Sequence, residues 1–245
     1  MTKWLLACVA LARTVGGMQS RTHAATGALA GVGIGALAAH GLEPAAALAL
    51  AASGAALIPD LDHPSSAISR SLGPLTKILS RGAAAAGGGH RGLTHSAIFA
   101  AGSGLLSAAL AVAINTTGHP WGAPVVLGLL AALGARTLLQ VGAGPRSRPW
   151  IPRRTRHLLV LLAAGATGYA AFRAGLSPEL TGVVVAGGCL AHLAGDLISG
   201  GVPLLWPARR QRVVLAHFRT RGKLDRALSP GLLLVSIAAL ALLAR

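Results

Sequence analysis

The sequence predicts an all-α, polytopic membrane protein with about seven transmembrane or partly spanning helices. Hydrophobic residues make up 53% of the 245 residues, and the mean hydropathy is +0.63. Charged residues make up only 11%, whereas soluble domains carry about 25%. The 22 Lys and Arg residues lie mostly between apolar stretches, which is typical of membrane-protein loops.

Seven apolar stretches separated by turn residues define the predicted helices. The first begins near Thr22, a residue type that favours helix N-termini. Gly27, Gly31 and Gly35 follow at four-residue spacing, which favours close helix packing. The first two helices are shorter than the roughly 20 residues of a full span, so they form either a part-way hairpin or a tilted pair. An interfacial helix is also expected within residues 68–79. The seven predicted helices cover residues 22–39, 45–58, 94–114, 124–141, 157–173, 180–199 and 230–244.

Residues 1–18 form a poorly defined N-terminal segment. Lys3 and the apolar residues after it resemble a short signal-like stretch, but Arg13 interrupts the apolar run and no good cleavage site follows. Met18 stands just before the first polar cluster, so a native chain that begins there is one interpretation. Residues 19–245 are expected to form a single membrane-embedded helical domain.

The basic residues also predict the orientation of the chain. The loops after the second, fourth and sixth predicted helices carry Lys and Arg, and the loops after the first, third and fifth carry none. The positive-inside rule therefore places the N-terminus and the basic loops in the cytoplasm. Contact of these loops with anionic lipid also accounts for the net charge of +16, which leaves nucleic acid as a minor alternative partner.

Four polar clusters are expected to meet at one depth on the cytoplasmic side. The clusters contain five of the nine histidines and three of the six acidic residues of the chain. The orientation follows from Lys and Arg alone, yet it places every cluster at the cytoplasmic end of a predicted helix. The clusters are Arg21-Thr22-His23, Asp60-Leu61-Asp62-His63, His90-Arg91-Gly92-Leu93-Thr94-His95-Ser96 and His192-Leu193-Ala194-Gly195-Asp196.

The clusters have the composition of a metal site. His192 and Asp196 are four residues apart and therefore share one helix face. Imidazole with carboxylate suits a divalent metal, with zinc expected first and manganese or iron as alternatives. The candidate ligands outnumber the coordination positions of one metal, so some are supporting residues or a second metal lies about 3.5–4 Å from the first. The expected ligands are His23, Asp60, Asp62, His63, His90, His95, His192 and Asp196.

The sequence contains no nucleophile motif, which favours catalysis by metal-activated water. Asp62 is the expected general base, and the guanidinium fork of Arg91 is expected to hold a phosphate or another anion. Each cluster also has a simpler explanation. These are a solvated turn for Asp60 and Asp62, a structural His–Asp hydrogen bond for His192 and Asp196, and helix capping for His23 and His95.

In their order and separation, these clusters resemble a family of bacterial inner-membrane-associated metal-dependent hydrolases, the YdjM-like, LexA-binding type. The resemblance covers about residues 18–210 and includes the glycines after His23 and the Leu205-Trp206-Pro207 stretch. It implies a multi-pass protein of the bacterial cytoplasmic (inner) membrane with hydrolase activity on an undefined substrate. The LexA part of the family name is not carried over to this chain as a function.

Three functions are consistent with the sequence. The first is a membrane-bound, metal-dependent hydrolase that acts on a lipid or lipid-linked ester or phosphoester at the cytoplasmic face. The second is a non-enzymatic protein that transports or senses a divalent cation, although transport calls for polar groups deep in the membrane and several predicted helices have almost none. The third is a basic scaffold for DNA or anionic lipid. Membrane lipids are the expected partners, and the oligomeric state is left open.

Overall fold

A computed structural model describes residues 20–38, 41–71, 73–139, 151–216 and 223–244. Over these residues the chain forms eight α-helices and three short 3₁₀ turns. The helices are α1 (Ser20–Ala38), α2 (Leu42–Ala55), α3 (Pro74–Ala86), α4 (Ala97–Asn115), α5 (Gly122–Leu138), α6 (Arg153–Arg173), α7 (Pro178–Leu197) and α8 (Lys223–Leu243). The 3₁₀ turns span Pro59–Asp62, Ile68–Arg70 and Leu93–His95. The N-terminal segment predicted at 1–18 lies outside the described residues.

The all-helical class is confirmed, and three predicted boundaries are wrong. The expected interfacial helix at 68–79 is divided, because Gly73 has a positive φ of 65° and Pro74 starts the new helix α3. The last helix does not begin at Pro230, which lies inside α8. Thr22 does not cap α1. It lies within the helix and its hydroxyl donates to a carboxylate oxygen of Asp225 in α8 at 2.7 Å.

The predicted glycine stripe forms the contact between α1 and α2. A Cβ atom at Gly27 would lie 2.5 Å from the carbonyl oxygen of Ala52, and one at Gly31 would lie 2.5 Å from the Cα of Ala49. A Cβ at Gly35 would meet α2 backbone at 2.7 Å. Only glycine permits this approach, so the prediction of close packing is confirmed.

Three helical stretches are long and apolar enough to cross a membrane, as judged by length and composition over the described residues. They are Leu42–Asp62, Ala97–Asn115 and Pro178–Leu197. The second predicted helix is longer than expected, because the turn after α2 continues into a 3₁₀ turn and the stretch reaches 21 residues. The total of seven helices in the membrane and the cytoplasmic N-terminus stay predictions.

The helix α2 lies at the centre of the bundle. Buried residues make up 72% of an 18-residue apolar window within Leu42–Asp62 and only 17% of the corresponding window within Ala97–Asn115, so the latter helix is peripheral. Leu48 of α2 packs in a core cluster with Leu127 of α5 and Val184 of α7. The end of α2 therefore delivers the Pro59–Asp62 turn to the interior of one end of the bundle.

Candidate metal centre

Four buried or nearly buried side chains converge on a common point at this end of the bundle. Asp60 comes from the turn after α2, His95 from the turn before α4, and His192 and Asp196 from the last turns of α7. We call them the four-donor centre. The Nε2 atoms of His95 and His192 are 3.3 Å apart. Asp196 Oδ2 lies 3.4 Å from the first and 3.5 Å from the second, and Asp60 Oδ1 lies at 4.0 and 3.9 Å.

Hydrogen bonds on the outer sides of the two rings fix which atoms face inward. His192 Nδ1 lies 2.7 Å from the carbonyl oxygen of Ala56, and a carbonyl only accepts, so this nitrogen carries the proton. His95 Nδ1 lies 3.0 Å from the Thr94 hydroxyl and 3.3 Å from Asp62 Oδ2. Because the Thr94 hydroxyl donates its own proton to Asp62, His95 Nδ1 also faces acceptors and carries the proton. In the neutral rings both Nε2 atoms therefore present lone pairs to each other and to the two carboxylate oxygens.

The four-donor centre fits a divalent metal. With both rings neutral, two lone pairs and two carboxylate oxygens face one another, so the centre is rich in acceptors. Zinc binds such ligands at about 2.0–2.2 Å, which places tetrahedral ligands about 3.3–3.6 Å apart. The three distances among His95, His192 and Asp196 lie in this range, and the Asp60 distances are slightly longer. A cation would compensate these buried acceptors.

Asp62 lies behind His95 and is 1% exposed, so a solvated turn does not describe it. Its Oδ1 lies 2.9 Å from His90 Nδ1, and its Oδ2 accepts hydrogen bonds from the Arg91 backbone N–H at 3.0 Å and from the Thr94 hydroxyl. Asp62, His90 and His95 are also close enough to hold a metal as a separate group. Because both carboxylate oxygens already accept hydrogen bonds, the arrangement favours a supporting role in which Asp62 orients His95.

Arg91 contacts both Asp62 and Asp196. Its side chain is 7% exposed, and Nη2 donates to Asp196 Oδ1 at 2.7 Å. Its backbone has a positive φ of 61°, which is uncommon for a residue other than glycine. This conformation accompanies the hydrogen bond from the Arg91 backbone N–H to Asp62. The anion that Arg91 contacts is therefore a carboxylate of the protein itself. An external anion would contact the other N–H groups of the guanidinium.

His23 covers the inner side of the four-donor centre. Its ring stacks on His192 with 3.7 Å between centroids and an interplanar angle of 17°. Its Nε2 lies 3.5 Å from Asp196 Oδ1, and its buried Nδ1 has no hydrogen-bond partner. His23, His192 and Asp196 form another group whose donor atoms are close enough for a metal. The structure therefore brings His23 to the site, as the sequence predicts.

The remaining two predicted ligands, His63 and His90, lie toward the outside. The His90 side chain is 37% exposed, and the His63 ring meets it edge-on at 4.7 Å. His63 Nδ1 lies 3.1 Å from the Ser65 hydroxyl, and His63 belongs to none of the three close donor groups among the described residues. Of the eight candidate ligands, His63 alone belongs to no close donor group of the described residues, while His90 and Asp62 form a group with His95 beside the four-donor centre.

Burial affects the protonation of the histidines that lie outside the apolar stretches. Burial lowers the pKa of His95, and the nearby carboxylate of Asp62 only partly opposes this. Burial also lowers the pKa of His63, with a further contribution from the charge of His90. The neutral ring is thus favoured at neutral pH, and the neutral ring is the form that binds metals.

Sequence reasoning missed several groups that hold the site in place. The Ala56 carbonyl fixes His192, and Ser199 donates to Asp196 at 3.1 Å. Neither has a signal in the sequence beyond its position next to a cluster. The capping explanation for His95 is wrong, because the side chain of Ser96 caps α4 and accepts a hydrogen bond from the Phe99 backbone N–H.

The fold and the cluster together define a helical membrane protein with a buried His/Asp site. The model of the YdjM inner membrane protein family matches residues 18–143, just over half of the 245 residues. The chain belongs to the YdjM inner membrane protein family and is a multi-pass protein of the inner membrane. The match includes the clusters around His23, Asp60 and His95, and ends before His192. No curated protein and no solved structure matches the chain.

Proposed function

We propose that this protein is a membrane-bound, metal-dependent hydrolase with a cytoplasm-facing site. One observation carries the proposal: in the four-donor centre the Nε2 atoms of two imidazoles lie 3.3 Å apart, and each of two carboxylates has an oxygen within 4.0 Å of both. Buried acceptors without a compensating donor or cation are costly. A divalent cation removes that cost, and the donor set suits such a cation.

The donor set favours zinc, with manganese or iron as alternatives. It contains two imidazoles and two carboxylates and no thiolate. Cys189, the buried cysteine of α7, instead has its thiol 3.6 Å from the carbonyl oxygen of Ala55. A site of nitrogen and oxygen ligands with further polar groups beside it differs from the thiolate sites that serve only structure.

The neighbouring residues support hydrolysis. A bound divalent cation supplies a Lewis acid and lowers the pKa of water to about 7. Asp62 orients His95 from behind, and Arg91 balances the charge of Asp196. The partly exposed His90 is hydrogen-bonded to Asp62, so we assign the role of proton acceptor to the Asp62–His90 pair rather than to Asp62 alone.

The membrane setting supports a substrate that reaches the bilayer edge. The loops on the predicted cytoplasmic side carry the Lys and Arg residues, and such residues attract anionic headgroups. The site lies at the ends of helices rather than midway along them. A lipid or lipid-linked ester or phosphoester is therefore the proposed substrate class.

The proposal is tested by metal analysis and by activity. We expect the purified protein to hold at least one zinc, manganese or iron ion per chain, and His192→Ala and Asp60→Ala to lose it. His119→Ala and Glu43→Ala are matched controls, because both residues are exposed and belong to no close donor group. The wild-type protein should hydrolyse at least one member of a panel of lipid esters and phosphoesters, and the two site variants should not.

The outcomes separate the candidate functions. Retention of stoichiometric metal in both site variants would refute the proposed centre. Metal binding without hydrolysis of any panel member, together with metal uptake into proteoliposomes, would instead identify a metal carrier. Hydrolysis that persists in the site variants would place the activity elsewhere in the chain.

A further inference from the structure

A cavity of about 310 Å³ lies on the outer side of the metal centre. The end of α3, the glycine-rich turn before α4 and the loop after α7 form its walls. His90 and Arg91 line it and also contact the carboxylates of the site, so the cavity adjoins the four-donor centre. Its lining includes Trp206 and three arginines, Arg91, Arg210 and Arg212.

The loop after α7 is held in place across this cavity. Val202 and Val213 form an isolated antiparallel bridge with backbone hydrogen bonds of 3.1 and 2.9 Å. The Leu215 backbone N–H donates to the carbonyl oxygen of Leu197 at 2.8 Å. These bonds close residues 203–212 into an arm whose base is fixed to the end of α7. The arm carries the arginines to the cavity.

The cavity has an excess of positive charge. Arg210 and Arg212 line it, and neither forms an ion pair with a carboxylate of the described part of the chain. Arg91 lines it as well, but Asp196 balances its charge. No Asp or Glu is among its described lining residues. Two uncompensated guanidinium groups therefore remain beside a proposed hydrolytic centre.

We propose that this cavity binds a phosphate group, with Arg210 and Arg212 as its principal ligands. A phosphate monoester carries a charge of about −1.5 to −2 at pH 7, which matches the two guanidinium groups better than the single charge of a carboxylate does. The planar fork of Arg binds phosphate oxygens in pairs. This inference rests on the proposed function, because only a hydrolytic centre would make the bound phosphate part of a substrate.

A lipid headgroup and a soluble ester are the two possible sources of the phosphate, and the residues around the cavity allow access from the membrane interface. The end of α3 forms one wall, and α3 exposes Leu75, Ile78 and Leu79 by 58%, 64% and 52%. An amphipathic helix of this kind lies in the membrane interface. The partly buried Trp206 at another wall is a residue type that is enriched at that depth. Lipid headgroups therefore have access to the cavity. The same arginine groups would bind the phosphate from either source.

The test measures phosphate binding separately from metal content. Radiolabelled inorganic phosphate is titrated against the full-length protein in detergent, and glycerol phosphate or nanodiscs of phosphatidic acid in phosphatidylcholine serve as competitors. The double variant R210A/R212A should bind phosphate at least tenfold more weakly, because each arginine supplies charge-assisted hydrogen bonds. R209A is the matched control, since Arg209 is exposed on the same arm and does not line the cavity.

The results distinguish this inference from the proposed function. Saturable binding that the double variant loses and R209A keeps supports the phosphate site, and the effective competitor identifies the source of the phosphate. The double variant should also keep the metal content of the wild type, so a loss of phosphate binding cannot be ascribed to a damaged centre. Absence of phosphate binding, or equal binding by R210A/R212A and wild type, would overturn the inference even if the protein holds a metal and hydrolyses an ester.

Discussion

The four-donor centre and the adjoining cavity have opposite electrostatic needs. In the centre, the acceptor atoms of Asp60, His95, His192 and Asp196 face one another, which suits a divalent cation. In the cavity, guanidinium groups accumulate without a carboxylate among the described lining residues. Arg91 lies between the two and binds Asp196. The proposed cation site and the proposed phosphate site lie side by side, an arrangement that would suit phosphoester hydrolysis.

The two regions also differ in burial, and this difference separates their responses. His95 and His192 are completely buried, so their interactions are little screened by salt. Arg210 and Arg212 are exposed and are screened strongly. Substitutions in the centre should therefore abolish metal binding or folding, whereas changes at the cavity should weaken ligand binding and leave the metal in place.

The largest effect is expected for Asp196→Asn. This change removes a metal donor and leaves the buried Arg91 guanidinium without its carboxylate, since Arg91 contacts Asp196 at 2.7 Å. Breaking a buried ion pair in this way costs about 3–5 kcal/mol. We expect loss of stoichiometric metal and a lower thermal unfolding temperature in detergent. Glu179→Gln, an exposed change on the same helix, is the control, and an unchanged unfolding temperature in Asp196→Asn would argue against the role given to this pair.

Asp62→Asn should have a smaller effect, because the hydrogen bonds to both Asp62 oxygens fit a residue that supports a ligand better than one that binds a metal directly. Loss of such a supporting carboxylate typically weakens metal affinity about 10–100-fold. A competition assay with a fluorescent zinc chelator would measure the change. Complete loss of metal, as in His192→Ala, would make Asp62 a direct ligand, as the sequence predicts.

Acid should release the metal. Burial lowers the pKa of His95, so the unfolded chain takes up a proton at a higher pH than the folded chain. Stability of the metal-free protein is therefore full above the ordinary histidine pKa of about 6.5 and falls as the pH drops below it. Metal affinity should fall over the same range, because ligands bind as neutral rings. Unfolding and metal occupancy followed between about pH 8 and pH 5 would check this, and stability that rises on acidification would contradict the assignment.

A higher salt concentration should have the smallest effect of these changes, and it should affect phosphate binding and metal occupancy differently. Raising the ionic strength from about 0.1 to 1 M shortens the Debye length from about 10 to 3 Å. Phosphate binding at the exposed Arg210 and Arg212 should weaken several-fold, and metal occupancy of the buried centre should not change. Parallel loss of both ligands would show that the two regions do not form separate sites.

The sequence predicted the convergence of the clusters better than the details of the helices. Loop charge placed four clusters at one end of the bundle, and the structure brings His23, Asp60, His95 and His192 together there. The two agree because successive helices of the bundle alternate in direction, so the beginnings of α1 and α4 and the ends of α2 and α7 lie at one end. The glycine stripe was also readable, since four-residue spacing fixes one face of a helix.

Other features depend on contacts that the sequence does not encode locally. Pro230 signals a helix start, but the contact between Thr22 and Asp225 holds an earlier turn of α8 against α1. Which of Asp60 and Asp62 faces the centre depends on hydrogen bonds from residues more than 25 positions away, such as Arg91 and Thr94. The cavity is formed by an arm that folds back from α7, and neither its closure nor its arginines follow from the spacing of motifs.

The coordination of the metal tests the central claim most directly. X-ray absorption at the zinc edge of zinc-loaded protein counts imidazole ligands through their characteristic multiple scattering. The proposed centre predicts nitrogen and oxygen ligands at about 2.0–2.2 Å that include the imidazoles of His95 and His192, and one imidazole fewer in His192→Ala if zinc is retained at all. A zinc site with no imidazole ligand, or an identical spectrum in His192→Ala, would contradict the account.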